Sequence, residues 1–163
     1  WKQRMFDGSH STFEAVKRPN TVEIIATRGN RILVALQKQP RGKAFYCFFG
    51  GRQDRGETPL QAAKRELLEE GGLASEDWEL FRTYEPSFKI DYKCYLFMAR
   101  DCRRISLPKQ DVGERIRVKS VSFAEFFRLV ASENFRGIDA AVDLLRTRLD
   151  KRKLGLFRKK LLG

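Results

Sequence analysis

Short runs of apolar and β-branched residues, separated by turn residues, occupy much of the chain. Each run is too short for a stable helix, and glycine, proline, asparagine or other polar residues bound it. These patterns predict strands over Thr21–Thr27, Ile32–Gln37, Ala44–Phe49, Leu80–Tyr84, Tyr92–Ala99 and Arg115–Val121.

Helical segments with recognisable start and stop signals lie between and after these runs. Thr58 suits the N-cap of the first helix, Pro59 suits its first position, and Gln61 completes a capping box with Thr58. Gly71 and Gly72 are expected to end it. Two later helices are predicted from the cap Ser122 to about Ala131 and from about Gly137 to Asp150. The order of elements indicates an α/β fold, in which helices pack on a mixed sheet.

The two ends of the chain differ from its middle. Residues 1–19 hold the turn signal Asp7-Gly8-Ser9 between two mixed runs, which predicts a β-hairpin. We expect either Phe6 or Phe13 to be a core residue; the alternative is a stacking surface for a base. The chain is therefore divided into a hairpin extension (1–19), a central domain (20–150) and a C-terminal tail (151–163).

The composition limits the class of protein. With 163 residues, 42% hydrophobic and 33% charged, the chain fits one globular domain and not a fibrous or largely disordered protein. No apolar run approaches the roughly 20 residues that span a bilayer, and no secretory leader is recognisable. Three cysteines without CxxC spacing are typical of idle thiols in a reducing compartment, so we expect a cytoplasmic protein. A single histidine leaves mostly carboxylates as possible acids, bases and metal ligands.

The net charge of +12 is concentrated at the C-terminus. From Arg146 to Gly163 there are eight basic residues and one acidic residue, Asp150. One interpretation is an anionic partner, such as nucleic acid, a phosphate-rich substrate or a membrane surface. The other, which we favour, is a solvated and partly frayed tail.

The first predicted helix carries a cluster of glutamates. Glu66 lies three and four residues from Glu69 and Glu70, so the three carboxylates share one face of the helix, while Leu60, Ala63 and Leu67 share another. Like charges at this spacing destabilise a helix unless a cation neutralises them. Arg65 can offset Glu69, its i+4 neighbour, and the remaining charge favours a divalent ion. Ligands that are all oxygen suit Mg²⁺ or Mn²⁺ better than Zn²⁺.

The segment that contains these glutamates, GRQDRGETPLQAAKRELLEEGGL, resembles a known family signature. It fits the Nudix box, G-x5-E-x7-R-E-U-x-E-E-x-G-U with U apolar, at every position. Those positions are Gly51, Glu57, Arg65, Glu66, Leu67, Glu69, Glu70, Gly72 and Leu73. The resemblance implies an α/β/α sandwich in which the box forms loop, helix and loop. It also implies hydrolysis of a diphosphate linked to another moiety, with Mg²⁺ or Mn²⁺.

The same resemblance implies a role for each matching residue. Glu66 and Glu70 would be the main metal ligands with Glu69 alongside, and the Gly50 carbonyl would join them. Glu57 would support the metals through water, and Arg65 would hold Glu69 in place. Proton removal from the attacking water then needs another carboxylate nearby.

Outside the box, the chain resembles more loosely the branch that hydrolyses ADP-ribose and nucleoside diphosphate sugars. Arg18 and Arg41 fall at ends of core strands where diphosphate contacts are implied, and Pro86 follows the box where this branch has a characteristic proline. Glu114 matches a late-loop glutamate that acts as base or completes the metal site. Ser87 and Phe88 follow Pro86 where relatives tend to have glycine, which puts ADP-ribose itself in doubt more than the wider class.

The function expected is therefore Mg²⁺-dependent hydrolysis of ADP-ribose or a related nucleoside diphosphate sugar. One alternative is a more anionic substrate, such as an RNA 5′ end or a dinucleoside polyphosphate; nucleic-acid binding through the tail is not favoured. Another is a Nudix-fold binding module without catalysis, although a binder has no need of all four box glutamates. The branch also implies a homodimer, in which the hairpin contributes to the interface and to the base-binding end of the site.

Overall fold

The computed structural model describes residues 1–86 and 89–163, so Ser87 and Phe88 lie outside the described residues. The strands before the first helix are β1 (Lys2–Arg4), β2 (His10–Thr12), β3 (Val16–Lys17), β4 (Thr21–Arg28), β5 (Arg31–Lys38), β6 (Phe45–Cys47) and β7 (Phe49–Arg52). The later strands are β8 (Leu73–Ala74), β9 (Asp77–Tyr84), β10 (Ile90–Asp91), β11 (Cys94–Arg100), β12 (Arg103–Arg104) and β13 (Arg115–Val121). The helices are α1 (Pro59–Gly71), α2 (Phe123–Val130), α3 (Ile138–Leu149) and α4 (Lys151–Leu162).

The main sheet is mixed. Its strands follow the order β13-β5-β4-β11-β9, with β6 paired to β5 and β7 paired to β4. The β4–β11 pair is parallel and the other pairs are antiparallel. The predicted mixed α/β fold is therefore confirmed.

Helices cover both faces of this sheet. Successive residues of the central strand β4 point to opposite faces, so neighbouring residues contact different helices. Ile24 packs in a cluster with Ala63 and Leu67 of α1. Ile25, the next residue, packs in a second cluster that takes side chains from α2, α3 and α4. The box helix thus forms one layer, and the three later helices form the other.

The run Ala44–Phe49 is the one predicted strand that the structure divides. Residues Phe45–Cys47 pair with β5, whereas Phe49–Arg52 pair with β4. Phe48, between them, packs in the cluster under the later helices, and Phe49 packs under α1. The prediction of a single strand is therefore wrong, because the chain changes its partner strand within one apolar run.

The expectation of a frayed C-terminal tail is also wrong. Residues 151–162 form α4, whose first turn is capped by Asp150 through the backbone N–H groups of Arg152 and Lys153. Phe157 and Leu161 are buried in the cluster under the later helices. Burial of one apolar face orders this segment despite its charge.

The N-terminal hairpin forms as predicted but has little cover. Strands β1 and β2 pair antiparallel across a turn in which the Asp7 carboxylate accepts a 2.9 Å hydrogen bond from the Ser9 N–H. Phe6 is fully exposed, and the Phe13 ring stacks on Trp1 without becoming buried. The expectation that one of the two phenylalanines is a core residue is therefore wrong.

The three cysteines are free thiols. Burial raises the pKa of Cys47 and Cys94 to about 12 and that of Cys102 to about 11. Within residues 1–86 and 89–163, no helix is long and apolar enough to cross a membrane.

Candidate active site

The box helix is fixed at both ends by local hydrogen bonds. The Thr58 hydroxyl accepts a 3.2 Å bond from the Gln61 N–H, and the Gln61 side-chain oxygen accepts a 2.8 Å bond from the Thr58 N–H. At the other end Gly72 has the left-handed conformation, with φ of +64°, and its N–H donates to the Leu68 carbonyl at 2.8 Å. The predicted caps are confirmed, and they fix where the helix begins and ends.

Gly50 precedes the box and Gly51 is its first residue, and both lie close to the helix face that carries the glutamates. A side-chain carbon at Gly51 would lie 2.4 Å from a carboxylate oxygen of Glu66, and one at Gly50 would lie 2.1 Å from the Val22 carbonyl oxygen. The Gly50 N–H donates a 2.9 Å hydrogen bond to Oε2 of Glu70. Gly50 therefore has to be glycine because the backbone of β4 lies so close, whereas the atoms near Gly51 belong to the end of the Glu66 side chain.

Arg65 is the centre of an ion-pair network. Its guanidinium donates two hydrogen bonds to Glu57, at 2.8 and 3.0 Å, in the forked geometry that arginine forms with a carboxylate. It also contacts Glu66 at 2.8 Å and Glu69 at 3.1 Å. The hydrogen bonds from Arg65 lower the pKa of Glu57 to about 2, and those to Glu57 raise the pKa of the guanidinium. The expected contact between Arg65 and Glu69 is confirmed.

Burial disfavours the charged form of two of the glutamates. Burial raises the pKa of Glu70 to about 8, and the nearby charges of Glu66, Glu114 and Glu69 add to this effect. Burial also raises the pKa of Glu66, against the opposing effect of Arg65. A buried carboxylate with like charges around it favours a cation, because either a proton or a metal ion relieves the repulsion.

A loop between β12 and β13 closes the other side of the site. The Lys109 N–H donates to the Glu69 carbonyl at 2.8 Å, which holds the loop on the last turn of α1. The Gln110 side chain accepts a 2.9 Å hydrogen bond from the Ile116 N–H and donates one of 2.6 Å to the Ile116 carbonyl. It also donates to the Glu70 carbonyl at 3.4 Å. These bonds hold the loop that carries Glu114 against the end of α1, and Glu114 lines the same cleft as the helix glutamates.

These elements enclose a cleft of about 580 Å³ with a strongly polar lining. Seven of the residues singled out from the sequence line it, namely Gly50, Gly51, Arg65, Glu66, Glu69, Glu70 and Glu114. Glu57 contributes indirectly, through its hydrogen bonds to Arg65.

The cleft also contains residues that the sequence analysis missed. They are Gln37, Arg52, Asp54, Lys109, Gln110, Asp111 and Ile116. The polar run from Lys109 to Asp111, just before Glu114, could have been recognised as part of the same loop. The contribution of Gln37 could not have been recognised from the sequence, because it depends on the pairing of β5 with β13.

Three residues predicted to contact the substrate are among the described residues, but none of them lines the cleft. The Arg18 guanidinium lies 4.9 Å from the centre of the Tyr92 ring. Arg41 is exposed in the loop between β5 and β6, and Pro86 is half-buried after β9. Their roles remain predictions.

Comparison with known proteins agrees with this arrangement. Residues 17–141 match the NUDIX domain family, which is most of the chain. The chain belongs to the Nudix family. The match includes the whole box, so the glutamate helix and the glycine pair are the Nudix motif in its folded form.

The relatives of this chain are named for different activities. An RNA pyrophosphohydrolase from Francisella tularensis subsp. mediasiatica is 36% identical to this chain over 74 residues. The match covers 45% of this chain and only 46% of that relative. An ADP-ribose pyrophosphatase from Bacillus subtilis is 27% identical over 131 residues, which cover 77% of this chain and 70% of that one. A solved structure of an ADP compounds hydrolase shares the fold, with a TM-score of 0.72 and 22% identity over 91% of this chain and 83% of the other.

The chemistry of the donors fits the divalent ion that Nudix proteins use. Glutamate oxygens and the Gly50 backbone border one cleft, and two of the glutamates have raised pKa values. In the described residues, no three acidic, histidine or cysteine side chains converge closely enough to enclose an ion. The reason is visible in the network, since Arg65 binds Glu66 and Glu69, and the Gly50 N–H binds Glu70.

Proposed function

We propose that this protein hydrolyses the diphosphate bond of ADP-ribose or a related nucleoside diphosphate sugar, giving a nucleoside monophosphate and a sugar phosphate. The observation that carries the proposal is the meeting of Glu66, Glu69, Glu70 and Glu114 at one cleft that also contains Arg52 and Lys109. Such a cleft offers anionic groups to metal ions and cationic groups to phosphate.

Glu66 and Glu70 would hold Mg²⁺ or Mn²⁺, with Glu69 and the Gly50 carbonyl completing the set. When bound, such ions neutralise charge that develops on the phosphate oxygens and lower the pKa of a bound water. Arg65 fixes the rotamers of Glu66 and Glu69 from behind, as partners of metal ligands commonly do.

Glu114 is proposed as the group that removes the proton from the attacking water. It lines the cleft together with the helix glutamates, and its charge is near enough to raise the pKa of Glu70. Its partner in the structure is Gln39, whose side-chain amide donates a long 3.5 Å hydrogen bond to it. This weak contact leaves the carboxylate available to a water molecule.

Arg52 and Lys109 are proposed as the groups that hold the diphosphate. Both line the cleft, and neither forms an ion pair within residues 1–86 and 89–163. Arg65, by contrast, is occupied by its glutamate partners. A free cation in an acidic cleft reduces the repulsion that a phosphate would otherwise meet.

The choice of a nucleoside diphosphate sugar rests on the extent of the resemblances. The ADP-ribose pyrophosphatase relative matches 77% of this chain, whereas the RNA pyrophosphohydrolase relative matches 45%. The shorter match supports a second candidate, the removal of diphosphate from an RNA 5′ end. RNA held by many phosphates would lose affinity steeply with added salt, and a nucleotide sugar would not.

A homodimer is part of the proposal. Strands β1 and β2 are exposed, as is the apolar Phe6 in the turn between them, and Val16 in β3 is a further exposed apolar residue. A two-stranded hairpin without cover is marginally stable, so contact with a second subunit would stabilise it.

A substrate panel tests the activity. ADP-ribose, UDP-glucose, GDP-mannose, a dinucleoside tetraphosphate, nucleoside triphosphates and 5′-triphosphate RNA are incubated with the protein and Mg²⁺. Preferred cleavage of a nucleotide sugar supports the proposal. Cleavage of RNA or triphosphates alone would reject the nucleotide-sugar substrate and favour the second candidate. Tight binding without turnover of any compound would indicate a binding module.

A further inference from the structure

Helix α3 has an apolar row on the side that faces solvent. Ala140 and Leu144 are buried in the cluster under the later helices, whereas Ile138 and Leu149 are 76% and 87% exposed. At 100° per residue, Ile138, Val142 and Leu149 fall within a narrow sector directly opposite the buried pair. A helix with apolar residues on both sides is unusual for a protein surface in water, unless something covers the outer row.

Helix α4 has a basic outer side. Phe157 and Leu161 point into the core, and the opposite sector carries Lys151, Arg152 and Lys159. These three cations are exposed and form no ion pair within the described part of the chain. Leu156, at the edge of this sector, is 60% exposed.

Both outer sides belong to one surface of the molecule. Ala140 and Leu144 of α3 and Phe157 and Leu161 of α4 pack in the same apolar cluster on the same face of the sheet. Helices α3 and α4 also pack against each other, so the sides turned away from that cluster adjoin on the molecular surface. We call this surface, formed by Ile138, Val142, Leu149, Lys151, Arg152, Leu156 and Lys159, the outer helical surface.

The outer helical surface is not an extension of the cleft. The cleft lies against α1, which covers the other face of the sheet. A polyanion on α4 would therefore be separated from the catalytic glutamates by the thickness of the sheet. Its charge has no role in holding the substrate of the proposed reaction.

We propose that the outer helical surface binds an anionic phospholipid bilayer. Exposed leucine and isoleucine beside unpaired lysine and arginine are the combination that places a helix in the plane of a membrane surface, with the apolar residues in the acyl boundary and the cations at the headgroups. A second copy of the chain would present like charges to α4 and meet repulsion. Nucleic acid would use the cations but would leave the apolar row of α3 exposed.

Vesicle co-sedimentation of the full chain tests this. The protein is mixed with vesicles of phosphatidylcholine alone and with vesicles that contain 30% phosphatidylglycerol, at about 50 and 300 mM salt. We expect binding to the anionic vesicles only, with a loss at high salt because the charge contribution is screened.

Two matched sets of variants assign the binding to this surface. Each surface cation contributes a factor of about five to the vesicle partition coefficient. Lys151→Gln with Lys159→Gln should therefore lower that coefficient roughly 25-fold. Lys2→Gln with Lys64→Gln removes the same charge from other exposed sites and should change it far less. Ile138→Ser with Leu149→Ser should lower it about tenfold or more, unlike Ile105→Ser, which alters an exposed residue next to the α1 layer.

Several results would overturn the proposal. They are absence of binding to anionic vesicles, equal binding by the Lys151/Lys159 variant, and equal binding by the Ile138/Leu149 variant. Binding to single-stranded RNA without vesicle binding would assign the cations to nucleic acid instead. Concentration-dependent self-association that Ile138→Ser with Leu149→Ser abolishes, again without vesicle binding, would assign the surface to a second copy.

Discussion

The backbone N–H of Gly50 and the carboxylate of Glu70 join strand β7 to helix α1 through a 2.9 Å hydrogen bond. Glu70 is largely buried at this point, and its pKa is raised to about 8 mainly because of that burial. The bond tends to lower this pKa and so stabilises the charged form of the side chain. The glycine pair is therefore both a packing requirement and part of the electrostatics of the site.

Replacement of Gly50 should damage both stability and activity. A side-chain carbon would overlap the Val22 carbonyl oxygen, and the φ of +153° disfavours any other residue. We expect Gly50→Ala to lower the free energy of unfolding by about 2–4 kcal/mol in urea denaturation. Gly155→Ala is the control, because that position in α4 is open; it should raise stability by about 0.5–1 kcal/mol. Equal stability of wild type and Gly50→Ala would refute the packing argument.

Arg65 should matter more for catalysis than for folding. Arg65→Lys keeps the charge but cannot donate simultaneously to Glu57, Glu66 and Glu69 in the forked geometry. We expect kcat to fall about 10–100-fold while the urea midpoint changes little. The neighbouring exposed Lys64→Arg serves as control and should behave as wild type. An unchanged kcat in Arg65→Lys would show that the network does not position the glutamates.

Gln110 is expected to act as a positioning residue. Gln110→Leu leaves the N–H and carbonyl of the largely buried Ile116 without their partner, so stability should fall by about 1–3 kcal/mol. Since Glu114 would also lose its fixed position, kcat should fall about tenfold, with KM nearly constant, at a temperature where the variant is fully folded. A purely structural role predicts lower stability with kcat unchanged, and that outcome would reject the positioning role. Asn134→Leu, at an exposed position outside the cleft, is the control.

Burial of Glu23 predicts a pH dependence of stability. Its pKa is raised to about 7, mainly by burial and also by the charge of Asp139. The folded state therefore holds a proton that the unfolded state releases above its ordinary pKa of 4.5. Stability should fall as the pH rises from about 4.5 to 7, by about 3 kcal/mol for this group, and level off above that range.

Glu23→Gln isolates this contribution. It removes the titration but keeps the shape of the side chain, so the difference in unfolding free energy between variant and wild type should grow across this pH range. Glu133→Gln, an exposed glutamate on the same side of the sheet, should leave the profile unchanged. A constant difference between Glu23→Gln and wild type at all pH values would show that Glu23 does not titrate there.

The homodimer makes a separate prediction. Light scattering at micromolar concentration should give twice the 19.0 kDa of one chain. Deletion of residues 1–17 should weaken the dimer and raise KM, because the hairpin is proposed to serve both the interface and the base-binding end of the site. A mass of one chain for the wild type would reject the dimer. An unchanged dimer and KM after deletion would remove both roles from the hairpin.

Local signals made the box helix predictable, and long-range contacts explain what was missed. Thr58, Gln61 and Gly72 act within a few residues of the helix ends, so the sequence alone places them. The break at Phe48 depends on which strand each half of the run pairs with. Helix α4 is ordered by the packing of Phe157 on rings such as Phe81, far away in sequence, and the basic composition concealed that apolar face.

The same distinction applies to the cleft. The box motif located the helix glutamates because their spacing is carried by one segment. Lys109 and Gln110 joined the site through hydrogen bonds to Glu69 and Glu70, about forty residues earlier in the chain. No local pattern encodes such contacts.

The most direct test of the central claim is the hydrolysis of ADP-ribose and UDP-glucose with Mg²⁺ by three proteins: wild type, Glu70→Gln and the control Glu133→Gln. The account predicts a nucleoside monophosphate and a sugar phosphate in equal amounts from wild type and control. It also predicts a loss of at least a hundredfold in Glu70→Gln, with the same circular dichroism spectrum. Full activity of Glu70→Gln, or no cleavage of any nucleotide sugar by the wild type, would contradict it.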